Sequence, residues 1–211
     1  MNERLQGLRA EALIEMPTIK DYITYPFITM DNIIDNSIVD LITRHCDQQG
    51  TNSSTLGHRI QNTEIRLCNT KFHYINDHSD WIFDILEYIV NTVNDKYYQF
   101  DLIGFDRFQY TVYNQPGSHY TYHSDMAFGP VSVDELKPPR KLSFSLILSD
   151  NSEYLGGDFE VRSNDVNTPT VIPQQKGQVI AFPSYITHRV TPLISGVRKS
   201  IVVWALGPKF K

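Results

Sequence analysis

The sequence predicts a mainly β protein, a sandwich or jelly roll, with helices at its N-terminal end. Two observations carry that reading. From Gln99 onward the chain breaks into short runs rich in β-branched and aromatic residues, "FQYTVY", "KLSFSLIL", "GDFEVR", "PTVIP", "GQVIAFP", "YITHRV" and "RKSIVVWAL". Turn residues punctuate them at Gly156-Gly157, Pro173 to Gly177 and "TPLISG", the spacing expected of an all-β core. Upstream, apolar residues recur instead at helical spacing. The length, 211 residues, suits one domain, and 41% hydrophobic content with 11 Phe and 12 Tyr supplies enough apolar surface for a core. Residues 1–211 are therefore read as a single domain, with helical support over about 1–98 and a β core over about 99–208.

The first 20 residues carry no strong signal. In "DNIIDNSIVDLITRHCDQQG" the residues Ile34, Ile38, Leu41 and Ile42 fall on one helical face, with Asp31 as the expected cap and Gly50 as the stop. The second helix has a wider stripe, Trp81, Ile82, Ile85, Leu86, Ile89, Val90 and Val93, behind Asp77 or Ser79. Between them, "HRIQNTEIRLCNTKFHY" reads as an extended segment followed by a loop. Among the strands, "KLSFSLILS" says most. Leu142, Phe144, Leu146 and Leu148 share one face, which needs an apolar cover such as the helices. Ser143, Ser145, Ile147 and Ser149 share the other, which is either the solvated side of a sandwich or the polar lining of a ligand-holding barrel.

A net charge of −5 without a basic block disfavours a nucleic-acid backbone as the main partner. Cys46 and Cys68 lie 22 residues apart, which fits neither a disulfide framework nor a CxxC metal pair, so two reduced, buried thiols in a cytosolic protein are expected. The N-terminus lacks the apolar stretch of a signal peptide, and no run approaches the roughly 18 apolar residues of a membrane span. The expectation is a soluble, intracellular protein with no membrane partner.

In "TYHSDMAF" an imidazole and a carboxylate stand two positions apart, at His123 and Asp125. On a strand, residues i and i+2 point to the same face, so two metal-grade ligands would converge. An HxD pair alone is a weak signal, and His188 in "YITHRV", flanked by Ile186 and Val190, would by itself read as a core histidine. Together they make two imidazoles and one carboxylate, the set that holds non-haem Fe(II) in oxygenases and leaves positions open for cosubstrate and O2. Ten residues past His188, Arg198 begins a strand on whose face Ser200, Val202 and Trp204 also lie. If that face is interior, the guanidinium needs an anion, and the far carboxylate of a metal-chelating keto diacid would supply one.

These runs resemble a family, the Fe(II)- and 2-oxoglutarate-dependent dioxygenases, in their prolyl 4-hydroxylase-like branch. The segments "YNQPGSHYTYHSD", "YLGGDFEV" and "FPSYITHRVTPLISGVRKSIVVW" carry the resemblance, over about residues 99 to 208. It implies a double-stranded β-helix (jelly roll) supported by α-helices, with His123, Asp125 and His188 as catalytic iron ligands. Arg198 would anchor the distal carboxylate of 2-oxoglutarate, with Tyr113 as a neighbour. It also implies Fe(II), 2-oxoglutarate and O2, with ascorbate as a candidate reductant, and release of succinate and CO2. In this chain Asn114 stands where many members carry a tyrosine, Tyr113 comes one residue earlier, and Ile147 replaces a second cosubstrate tyrosine, so Ser143, Ser145 or Ser200 are candidates to fill the shell. The branch implies a prolyl peptide or protein as substrate, with C4 hydroxylation. The loop "MAFGPVSVDELKPPR", residues 126–140, is expected to border the iron, as a lid or as a solvated crossover. Three rivals stand beside this reading: the same chemistry on a small molecule, free amino acid or nucleobase; a catalytically silent jelly-roll module; and a zinc hydrolase, for which no HExxH helix is present.

Overall fold

The computed structural model describes residues 24–54, 62–75, 78–126, 138–162 and 168–209. The first 20 residues, Asp77 and most of the 126–140 loop lie outside them.

The alternation in the β-rich half sets the architecture. Fourteen strands are described: β1 (Ile28–Met30), β2 (Asn52–Ser53), β3 (Arg66–Leu67), β4 (Asn69–Tyr74), β5 (Arg107–Tyr113), β6 (His119–His123), β7 (Arg140–Ile147), β8 (Tyr154–Gly156), β9 (Phe159–Arg162), β10 (Thr170–Ile172), β11 (Val179–Pro183), β12 (Thr187–Val190), β13 (Leu193–Gly196) and β14 (Arg198–Leu206). Two antiparallel sheets face each other, one ordered β1-β11-β7-β14-β5-β4-β2 and one β10-β9-β12-β6-β3, with β13-β8 as a separate pair. This is the predicted jelly roll. Leu142, Phe144 and Leu146 of β7, and Leu148 just after it, do turn outward onto the helices, while Ile147 joins the cluster between the sheets.

The helices α1 (Asn36–Gln49) and α2 (Asp80–Val93) cover the larger sheet. Val39, Ile42 and Cys46 of α1 and Ile82, Phe83, Leu86, Ile89, Val90 and Val93 of α2 are buried there, each large apolar side chain contributing roughly 1.5–3 kcal/mol. Three expectations need correction. The cap of α1 is Asp35, whose carboxylate accepts from the Ser37 N–H at 2.7 Å, while Asp31 accepts from the Gln178 side chain at 2.9 Å. Leu41 is exposed and Trp81 sits at the rim edge-on to His45, because a helix lying on a flat sheet buries a narrower stripe than the spacing allows. Ser79 does hold the cap position of α2, but its hydroxyl bonds sideways to His45 and His73 and gives the helix no side-chain cap.

The segment read as a loop before α2 is in fact strand β4, paired with β5 from Asn69↔Val112 to Tyr74↔Arg107. Its own sequence is weakly β-forming, and a buried neighbouring strand decides the outcome. The N-terminal half thus contributes β1 to β4 to the sheets as well as the helices.

Candidate metal and cosubstrate site

Between the sheets lies a cavity of about 290 Å³ whose lining includes His123, Asp125, His188, Arg198, Tyr113 and Ser200, so all six of the predicted site residues converge. The way they converge differs from the expectation at one point. His123 ends β6, and Asp125 stands in the bend that follows, not on the strand. The bend is fixed by the Ser184 carbonyl, which accepts from the N–H groups of both Asp125 and Met126 at 2.9 Å.

A second irregularity shapes β6. His188 pairs with His123 and Val190 with Tyr120, so Thr121 and Tyr122 oppose Arg189 alone. Such a bulge lets residues three apart face the same way. Tyr120 and His123 both point into the cavity, their rings stacked with centroids 3.6 Å apart. His188, in the middle of β12, is held between Phe182 and Phe159.

The donor atoms suit a divalent cation. The Nδ1–H of His123 donates to the Thr121 carbonyl at 2.8 Å, and that of His188 to the Ile186 carbonyl at 3.0 Å, which leaves both Nε2 lone pairs free. Each Nε2 stands 3.7 Å from an Asp125 carboxylate oxygen, and the three ligand atoms lie within 4.8 Å of one another. Asp125 Oδ2 is buried without a hydrogen-bond donor, an arrangement costly unless a cation completes it. Burial, reinforced by His188, pushes His123 down to about 4, so it is a neutral ligand at neutral pH. Burial alone would raise Asp125, but His188 and then His123 beside it hold the carboxyl below the usual range.

At the far end of the cavity Arg198 is 1% exposed. Its Nε and Nη2 both donate to the Gln174 side-chain oxygen, at 2.9 and 2.6 Å, and Nη1 reaches the Ser200 hydroxyl at 3.4 Å. Both partners are neutral, so among the described residues this buried cation has no ion-pairing carboxylate, and the arrangement fits an anionic cosubstrate. Tyr113, opposite Arg198 in the register, lies under the guanidinium, 5.3 Å from ring centroid to charge centre. Gly157, at φ +67°, lets the backbone pass beside the arginine stem, and a Cβ there would stand 3.2 Å from Arg198 Cδ.

Of the candidate serines, Ser145 and Ser200 line the cavity, whereas Ser143 hydrogen-bonds Ser184. Trp204 lines it too. Sequence reasoning missed Gln174, Tyr120, Arg66 and Arg140. A buried Arg198 demands an acceptor, but nothing in "PQQKG" marks Gln174 as that acceptor.

The profile of the 2OG-Fe(II) oxygenase superfamily matches residues 108–206. A PKHD-type hydroxylase of Synechococcus sp. strain CC9311 is 40% identical over 63 residues, covering 30% of this chain and 28% of that protein. A second, from Synechococcus sp. strain CC9902, is 35% identical over 95 residues, covering 43% and 37%. The chain thus spans only about a third of the length of these relatives. Among solved structures, a Pseudomonas putida prolyl-4-hydroxylase aligns with TM-score 0.68 at 18% identity over 90% of this chain and 96% of that one. A Trichoplax adhaerens prolyl hydroxylase in complex with a hypoxia inducible factor peptide fragment aligns with TM-score 0.70 at 16% identity, over 98% and 94%. At these identities the likeness is one of fold.

Proposed function

We propose that this chain, whose residues 108–206 match the 2OG-Fe(II) oxygenase profile and whose fold is that of prolyl 4-hydroxylases, is a dioxygenase that hydroxylates a peptidyl proline at C4 and converts 2-oxoglutarate to succinate and CO2. The carrying observation is the joint presence, in one cavity, of the His123, Asp125 and His188 donor set and the unneutralised guanidinium of Arg198. In this reading residues 1–211 form one functional unit. Its setting is cytoplasmic, consistent with Cys46 and Cys68 as buried free thiols.

The two Nε2 atoms and the Asp125 carboxylate would hold Fe(II). When bound, the metal supplies O2 activation coupled to oxidative decarboxylation of the keto acid. Everything else falls to the chain. The carbonyls of Thr121 and Ile186 keep both imidazoles in the metal-binding tautomer. Arg198, oriented by Gln174, seats the distal carboxylate of 2-oxoglutarate and so aims its keto acid end at the triad. Tyr113, Phe159, Phe182 and Val190 line the space and exclude water.

A prolyl peptide as substrate is supported by the solved relatives, one of which holds a peptide fragment. The same chemistry on a small molecule, free amino acid or nucleobase is the second reading, favoured by the cavity volume of about 290 Å³, at the small end of ligand pockets. A silent binding module would have no use for the full residue set. The test is incubation of the Fe(II)-loaded protein with 2-oxoglutarate, O2 and proline-rich peptides. A one-oxygen mass gain localised to proline is expected. Succinate release stimulated only by small acids or free amino acids would overturn the peptide reading and keep the oxygenase.

A further inference from the structure

Three guanidiniums, those of Arg66, Arg140 and Arg198, line one cavity in a chain whose net charge is −5. Asp125 is the only acid among the described lining residues. The oxygenase reading uses Arg198 alone. If a dication and a dianionic cosubstrate are added, the described lining keeps a surplus of about two positive charges, costly to the extent that they are withdrawn from water.

Position separates Arg140 from the cosubstrate. Trp204 is six residues beyond Arg198 on the same face of β14, roughly 20 Å along the strand. A five-carbon diacid held at Arg198 does not span that distance. Arg140 stacks on Trp204, its guanidinium carbon 4.0 Å from the ring centroid, and gives one hydrogen bond, to the Asp125 backbone carbonyl at 3.3 Å. Arg66 lies over Tyr120 at 4.6 Å and donates to Cys68 Sγ at 3.2 Å. Neither forms an ion pair among the described residues. Trp204 adds a buried indole N–H without an acceptor among the described residues. Arg140 and an unused neutral donor thus stand at the end of the cavity remote from Arg198, while Arg66 lines the same cavity over Tyr120.

We propose that this end binds a carboxylate of the substrate, with Arg140 as its principal partner, Arg66 as a second cation and the Trp204 indole N–H as a neutral donor. The inference rests on the oxygenase reading only for the assignment of Arg198 to the cosubstrate. It narrows the substrate to an acid: a prolyl peptide with an acidic side chain beside the target, or a small molecule with its own carboxylate. Guanidinium planes backed by an aromatic ring favour bidentate recognition of a carboxylate over a neutral amide.

The test is direct binding to the full chain loaded anaerobically with Fe(II) and 2-oxoglutarate, followed by calorimetry and by quenching of tryptophan fluorescence. One probe pair is Ac-Gly-Pro-Glu-Gly-NH2 against its Gln counterpart, for a side-chain carboxylate. The other is N-acetylproline against N-acetylprolinamide, for a free acid. In at least one pair the acid should bind about tenfold tighter than the amide, as expected for one charge-assisted contact. Arg140→Gln should abolish that preference and Arg140→Lys should retain part of it, and Trp204→Phe should weaken the acid only. Arg66→Gln covers the case in which Arg140→Gln does not fold. Equal binding of acid and amide in both pairs, or a preference that survives both Arg140→Gln and Arg66→Gln, would overturn the proposal. Because the readout is binding, an acid preference without proline hydroxylation would sink the prolyl reading while leaving this one standing.

Discussion

Gln174 makes the sharpest test of the cosubstrate end. Its side-chain oxygen takes two of the Arg198 hydrogen bonds, at 2.9 and 2.6 Å, and the remaining contact, to Ser200, is long at 3.4 Å. Replacing it in Gln174→Leu leaves a buried guanidinium almost without acceptors, a loss of about 1–3 kcal/mol for an unsatisfied buried group. In a protein of this size each kcal/mol lowers Tm by roughly 2–4 °C, so a drop of about 2–12 °C is expected. Saturating 2-oxoglutarate should recover most of it, since the carboxylate supplies the missing acceptors, and the ligand-induced rise in Tm should exceed that of wild type. Arg198→Met removes the cation itself. Its 2-oxoglutarate Kd should rise about 100-fold, from loss of roughly 3 kcal/mol of charge-assisted bonding, and the double variant should be more stable than Gln174→Leu alone. Thermal melts of the metal-loaded protein with and without 2-oxoglutarate read all of this. An unchanged Kd in Arg198→Met, or a Gln174→Leu variant whose Tm gains nothing extra from 2-oxoglutarate, would refute the reasoning.

Other consequences follow from the same geometry. His123→Ala, Asp125→Ala and His188→Ala should each abolish tight divalent-metal binding by calorimetry while the far-ultraviolet circular dichroism stays that of the wild type. Retained metal affinity in Asp125→Ala would remove it from the donor set. Gly157→Ala, strained at φ +67° and pressing on the Arg198 stem at 3.2 Å, should weaken 2-oxoglutarate binding more than it lowers Tm by the roughly 1–2 kcal/mol of left-handed strain, whereas Gly156→Ala, whose Cβ would meet the Pro192 carbonyl at 2.5 Å, should act mainly on Tm. Glu160, on the outer face, accepts from Arg189 Nε at 2.7 Å and from the Tyr122 hydroxyl at 2.6 Å, and these bonds, the Arg189 one foremost, hold its carboxyl below the ordinary 4.5. Its folded pKa is depressed, so its contribution to stability is present above about pH 4.5 and is lost as pH falls through the folded value. Urea melts should show Glu160→Gln losing stability less steeply than wild type between pH 5 and 3, and parallel curves would contradict this.

What was legible in the sequence was what a short window contains. The β7 alternation put Leu142, Phe144 and Leu146 on one face, which holds, and left the opposite face open between solvent and a ligand cavity; Ser145 lines the cavity. Two histidines, an aspartate and an arginine were legible because their chemistry is rare in combination. Geometry set by partner strands was not. The β6 bulge that turns Tyr120 inward exists only against β12, and Asp125 is aimed by Ser184, 59 residues away in the chain. β4 was hidden because "NTKFHY" has one buried residue, His73, and becomes a strand only beside β5. Asp31 and Asp35 are equal candidates by residue type, and only the Ser37 contact separates them. Arg66 and Arg140 look like ordinary surface arginines until the fold carries them into the cavity.

The account's central claim is that His123, Asp125 and His188 hold Fe(II) while Arg198 presents 2-oxoglutarate to it. Its most direct test is the absorption spectrum of the protein with Fe(II) and 2-oxoglutarate under strict exclusion of O2. The account predicts a visible metal-to-ligand charge-transfer band that titrates with 2-oxoglutarate, is lost in Asp125→Ala, and in Arg198→Met requires a far higher 2-oxoglutarate concentration. A wild-type protein that binds neither Fe(II) nor 2-oxoglutarate and gives no band at saturating concentrations would contradict it.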